Sequence, residues 1–142
     1  MAAAQVVEVL GGQGVLKKVR TEEDLRELLR EGLPYEAFEA LSAAFGLSVR
    51  DLSAVLAVPE RTLARRKLQR RLRPDESDRL VRLARIAAYA EEVLGSRDKA
   101  AAWLRTPNRA LGTEPPVGRL DTDLGARQIE AVLGRIAHGV YS

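Results

Sequence analysis

An all-α fold is the expectation for this chain, and three observations set it. Aromatic residues are only 4% of the sequence and cysteine is absent, so the core has to be built from Leu, Val, Ile and Ala, which favours helices packed on helices. Apolar residues recur at steps of three, four and seven through most of the chain, the period of a helix face. No stretch reads as a confident strand. The 142 residues suit one compact domain or two small ones, and a hydrophobic fraction of 46% is too high for a disordered chain.

Taken in order, residues 1–20 read as an N-terminal arm. The cluster Gly11-Gly12-Gln13-Gly14 breaks any helix, so a mobile arm or a short hairpin is expected. Its glycine spacing is wrong for a dinucleotide loop, and no βαβ unit surrounds it. Thr21 opens the first clear helix, with Asp24 in capping-box position, a stripe of Leu25, Leu28 and Leu29, and Gly32 as its stop. Pro34 starts the next, in which Phe38, Leu41 and Phe45 repeat at helical spacing up to Gly46. Ser48 caps a third, with Leu52, Val55 and Leu56 inward, and Ala57, Val58 and Pro59 make a tight turn into a helix from about Glu60 to about Gln69. Pro74 begins a long helix in which Leu80, Leu83, Ala84, Ala87 and Leu94 recur. Gly95 ends it, and Ser96 caps a short helix holding Trp103, expected to be a core anchor. Residues 106–122 contain three of the six prolines and two glycines, so they form a loop. Asp121 or Thr122 caps the last helix, where Ile129, Val132, Leu133, Ile136 and Val140 make an amphipathic stripe and Gly139 is a terminator.

Charge divides the chain unevenly. Residues 1–47 carry five basic and eight acidic side chains, residues 48–85 eleven and five, and residues 86–142 seven of each. Between positions 61 and 73 there are seven basic residues and no acidic one. Two short helices, a tight turn and a basic second helix are the pattern of a helix-turn-helix, whose second helix enters the major groove of DNA. If that helix starts near Glu60, Leu63 and Ala64 face the core. Arg61, Thr62, Arg65, Arg66 and Gln69 then lie on or beside the outer face, in reach of base edges, while Arg70, Arg71 and Arg73 reach phosphates. The alternative is a solvated basic face on an ordinary bundle.

Other chemistry finds little support. His138 is the single histidine and stands without the companions that a metal site or a catalytic triad needs, so it reads as a surface or packing residue. A small hydrolase using it is a distant reading. Glu22, Glu23 and Asp24 suit a helix N-terminus. No cofactor is expected. The start of the chain lacks the basic region of a signal peptide, and no segment approaches the ~20 apolar residues of a membrane span; with no cysteine, a cytoplasmic location fits. The tail Gly-Val-Tyr-Ser places an aromatic at an exposed end. On physics alone it reads as frayed, the alternative being a plug for a partner's pocket.

The whole pattern resembles the Xre/MbcA/ParS-type antitoxins, whose partners are RES-domain toxins. The resemblance is carried by Gly-Leu-Pro at 32–34, the run FGLSVRDLSAVLAVPERTLARRK and the following RLRPDESDRLVRLARI. In the C-terminal part it is carried by Trp103-Leu104, Pro107-Asn108, Ala110-Leu111-Gly112, Pro115-Pro116, Asp121-Thr122 and Gly125. Family members often have a second glycine after Leu-Gly, where this chain has Thr113. The resemblance implies an antitoxin and not an enzyme, with a helix-turn-helix unit over 21–85 and a toxin-binding domain over 86–142. It implies that His138, Gly139, Val140, Tyr141 and Ser142 approach the active-site cleft of an NAD-degrading RES toxin. It also implies a homodimer that binds operator DNA and represses its own operon, and a hetero-oligomer with the toxin. The competing expectation is a stand-alone dimeric helix-turn-helix repressor whose C-terminal helices only dimerise.

Overall fold

The computed structural model describes residues 3–139, and among these the regular structure is all helical apart from isolated bridges. The helices are α1 (Ala3–Val9), α2 (Glu22–Glu31), α3 (Tyr35–Phe45), α4 (Val49–Leu56), α5 (Glu60–Gln69), α6 (Pro74–Leu94), α7 (Arg97–Arg105) and α8 (Asp123–Ala137). Two 3₁₀ turns, Arg109–Leu111 and Pro116–Arg119, shape the loop between α7 and α8.

The starts and stops follow from side-chain chemistry. The Thr21 hydroxyl accepts from the Asp24 N–H at 3.0 Å while the Asp24 carboxylate accepts from the Thr21 N–H at 3.2 Å. Ser48 and Asp51 repeat this box on α4 at 3.0 and 3.1 Å, each cap contributing ~1 kcal/mol. Ser96 caps α7, and Thr122, rather than Asp121, caps α8. Gly32 ends α2 at φ 102° with its α-carbon against the Leu72 carbonyl, where any Cβ would collide. That close approach lets Leu72 donate its N–H to Leu33 at 2.9 Å and Tyr35 donate to Arg70 at 3.0 Å.

Helix α6 is the central post. Twenty-one residues long, it spans ~30 Å and packs against α1, α2, α3, α4, α7 and α8. Its buried Leu80, Leu83 and Ile86 fill the core, and buried Ala84, Ala87, Ala88 and Ala90 let neighbouring helices approach closely. The 3₁₀ turn Pro116–Arg119 packs on both α4 and α7. The N-terminal helices and the C-terminal segment therefore share one hydrophobic core.

The arm-or-hairpin expectation for the N-terminal segment is corrected. Residues 3–9 form a helix with Val6, Val7 and Val9 buried, packed on α6 and α3. Gly11 and Gly12, both at positive φ, turn the chain back, and Leu10, Leu16 and Val19 are buried beyond them. Valine is a modest helix former; burial against α6 decides the conformation.

A shared core predicts cooperative unfolding. Leu52→Ala, at a fully buried α4 position, should cost ~2–5 kcal/mol. The fluorescence of Trp103, the single tryptophan, on α7, should shift its urea midpoint together with the far-UV circular dichroism. Two separated transitions would contradict a common core.

Candidate functional site

The helix-turn-helix is built by α4 and α5. Leu52, Val55 and Leu56 of α4 and Leu63 of α5 are buried. Between the helices Ala57 adopts a left-handed conformation (φ 58°), and the Ser53 hydroxyl donates to the Val58 carbonyl, which closes the turn. Helix α5 stops at Arg70, also left-handed (φ 62°), whose N–H returns to the carbonyls of Arg66 and Lys67.

Two sequence assignments are corrected by geometry. Arg66 does not lie on the outer face: it is only 5% exposed. Its Nε donates to Glu76 Oε1 at 2.8 Å and its Nη2 donates to Glu76 Oε2 at 3.0 Å, a bidentate pair inside the protein. Hydrogen bonding to the Glu76 carboxylate raises the Arg66 pKa above its ordinary value, so it stays charged. Glu76 Oε1 also accepts the Arg73 N–H at 2.9 Å, at the start of α6. Arg66 thus positions α5 and is withdrawn from the set in reach of DNA. Ala64, expected in the core, is exposed instead; the inward pair is Leu63 and Arg66, three residues apart.

The remaining predicted residues separate by geometry. Arg61 and Arg65 are exposed on the outward face. Thr62 is half-buried at its edge. Gln69 is exposed, with its Oε1 accepting from Arg66 Nη1 at 3.3 Å. Arg70, Arg71 and Arg73 are exposed beyond α5, with Arg71 Nη1 donating to the Gly32 carbonyl at 3.0 Å. Sequence reasoning missed two exposed α5 residues, Lys67 and Leu68. The acidic residue at 76 was the available signal: a buried partner for one arginine fixes the phase of the helix and brings Leu68 outward.

The C-terminal segment is organised around Gly125 and Arg119. The Gly125 N–H donates to the Thr122 hydroxyl at 2.9 Å, and a Cβ at Gly125 would strike the Arg119 carbonyl. Arg119 donates to Glu114 at 3.1 Å, to the Leu111 carbonyl at 2.8 Å and to Gln128 at 2.8 Å, which ties the loop to α8. Arg82 of α6 donates to the Leu120 carbonyl at 3.0 Å, and Arg79 to the Leu56 carbonyl at the end of α4 at 3.3 Å. Thr113 sits at φ 68°, a region costing an L residue ~1–2 kcal/mol, so a glycine there relieves strain. His138 is exposed and caps α8: its N–H donates to the Gly134 carbonyl at 3.1 Å, and its Nδ1 lies 2.7 Å from the same oxygen. Gly139 is exposed beside it; Val140, Tyr141 and Ser142 lie outside the described residues. Among the described residues no group of three or more acidic, histidine or cysteine side chains is arranged to hold a metal, and no helix is long and apolar enough to cross a membrane.

Comparison with known proteins converges on these two parts of the chain. Residues 24–85 match the family model of the antitoxin Xre-like helix-turn-helix domain. Residues 89–139 match that of the antitoxin Xre/MbcA/ParS C-terminal toxin-binding domain. The chain is 32% identical over 120 residues to an antitoxin Xre of Photorhabdus laumondii and 28% identical over 120 residues to one of Yersinia enterocolitica. Each alignment covers 83% of this chain and 81% of the relative. It is 42% identical over 83 residues to an antitoxin Xre of Pseudomonas putida, covering 58% of this chain and 52% of that protein.

Two substitutions separate positioning from exposure in this region. Arg66→Ala leaves Glu76 buried and unpaired and should lower the unfolding free energy by ~3–5 kcal/mol, whereas Arg65→Ala, on the surface, should change it by less than ~0.5 kcal/mol. Thr113→Gly should raise stability by ~0.5–1 kcal/mol as the left-handed strain is released against a more flexible unfolded chain. Denaturant titration reads all three.

Proposed function

The chain belongs to the Xre antitoxin family, with a helix-turn-helix domain and a toxin-binding domain, and from this premise we propose that it neutralises a RES-domain toxin and represses its own operon. Residues 21–85 serve as the DNA-binding unit and residues 86–142 as the toxin-binding unit, in the cytoplasm. The toxin degrades NAD⁺, and the antitoxin acts by steric blockade: residues His138, Gly139, Val140, Tyr141 and Ser142 approach the toxin's active-site cleft. Exposure of His138 and Gly139 beyond the last turn of α8 supports this reading, since an exposed helix end is accessible to a partner. The chain itself performs no chemistry; its family is one of antitoxins, not enzymes.

The observation that carries the DNA reading is the outward face of α5. Arg61 and Arg65 stand on it with Lys67 beside them, on a helix whose opposite side is clamped by Leu63 and the Arg66–Glu76 pair. Arginine forks onto guanine in the major groove, and Arg70, Arg71 and Arg73 follow the phosphates. A homodimer would place two such helices on one face of the operator, about one helical turn apart, and multiply a weak half-site affinity.

Co-expression with the RES-domain toxin of the same operon should restore growth and cellular NAD⁺. Deleting residues 140–142 should abolish that rescue while operator binding is retained. Full rescue by the truncated chain overturns the blockade by the tail, and no rescue by the full chain leaves the stand-alone repressor. Arg61→Ala combined with Arg65→Ala should weaken binding to the operator at least ~10-fold without reducing toxin binding, as measured by mobility shift and co-purification.

A further inference from the structure

Leu68 is 86% exposed, the most exposed of the large hydrophobic residues among those described. Its place on α5 is fixed by the opposite side of the helix: Leu63 is 1% exposed and Arg66 is held by two hydrogen bonds to Glu76, so the helix cannot roll to bury Leu68. Counting by helical period, Arg61, Ala64, Arg65 and Leu68 fall at i, i+3, i+4 and i+7, one outward row. Leucine therefore stands in line with the two arginines, and Ala64 between them adds almost no bulk.

The charge around it selects the occupant. From position 61 to position 73 the chain has seven basic residues and no acidic one, and Arg61, Arg65, Lys67, Arg70 and Arg71 are all exposed. A second copy of this face would meet like charge at every step, and a purely apolar partner would have to strip water from these cations. A polyanion matches the surround. Within the major groove of DNA the apolar feature at the base edges is the 5-methyl group of thymine.

We propose that Leu68 is a specificity residue that reads a thymine through its 5-methyl group, in register with the bases met by Arg61 and Arg65. The inference rests on α5 as the DNA-facing helix and adds to it a base identity that guanine-preferring Arg61 and Arg65 do not supply.

The test uses the full chain and a pool of random duplexes about 25 base pairs long, enough for two half-sites. The duplex selected by the wild type is resynthesised with each thymine in turn replaced by deoxyuridine, which removes only the methyl group. The wild type should lose about fourfold in affinity at one thymine of a half-site, the factor for withdrawing one methyl carbon from apolar contact. Leu68→Ala, which keeps a strong helix former at a solvent-facing position, should retain the wild-type circular dichroism and bind the thymine and uracil duplexes equally. Indifference of the wild type to every replacement overturns the proposal. So does a Leu68→Ala variant that discriminates as the wild type does, including one whose solution mass changes and so places Leu68 in a protein contact. If the wild type selects no duplex at all, the DNA-facing reading of α5 falls, and this inference with it.

Discussion

The carboxylate of Glu76 is where several parts of the fold are tied together. It accepts two hydrogen bonds from Arg66 of α5 and one from the backbone N–H of Arg73, so a single buried side chain both holds α5 and satisfies an orphan donor at the start of α6. One residue on, the Ser77 hydroxyl donates to the Arg73 carbonyl and accepts from the Leu33 N–H, each at 2.8 Å. Those contacts bring the segment between α2 and α3 against the segment between α5 and α6, where Gly32 leaves no room for a side chain. Burying an ion pair is expensive, and apolar residues of the same shape often stabilise as well. An arginine and a glutamate here specify direction: the guanidinium fork accepts one geometry, and that geometry sets which side of α5 meets solvent.

From this junction α6 transmits position to the rest of the molecule. Arg79 reaches the last carbonyl of α4, and Arg82 reaches the Leu120 carbonyl in the loop before α8. The 3₁₀ turn Pro116–Arg119 rests on α4 and α7 together. The toxin-binding domain and the helix-turn-helix are therefore not beads on a linker. They are parts of one packed body whose relative placement is set by a shared helix and core.

Most of this architecture could be read from the sequence. The caps Thr21, Ser48 and Ser96, the stops Gly32, Gly46 and Gly95, and the turn 57–59 all lie where local chemistry puts them, because caps and turns depend on residues two to four positions apart. Helix α1 was hidden because seven residues carry little periodicity and its valines owe their helical state to a distant surface. Arg66 was hidden for a related reason. Among seven similar cations, only the partner ten residues later tells which one turns inward, and charge patterning alone treats them alike. The C-terminal landmarks were legible as residues but not as geometry. The roles of Gly125, where a Cβ would strike the chain, and of Thr113, held in a left-handed conformation, emerge only when the loop is folded.

The division of α5 between a clamped side and an open side has an evolutionary consequence. Leu63 and Arg66 carry the helix's structural obligations, leaving Arg61, Ala64, Arg65 and Leu68 with few packing contacts to preserve. Surface positions of this kind change with little effect on folding. After gene duplication, two such proteins can drift apart at these four exposed positions while both inherit the same foldable scaffold unaltered.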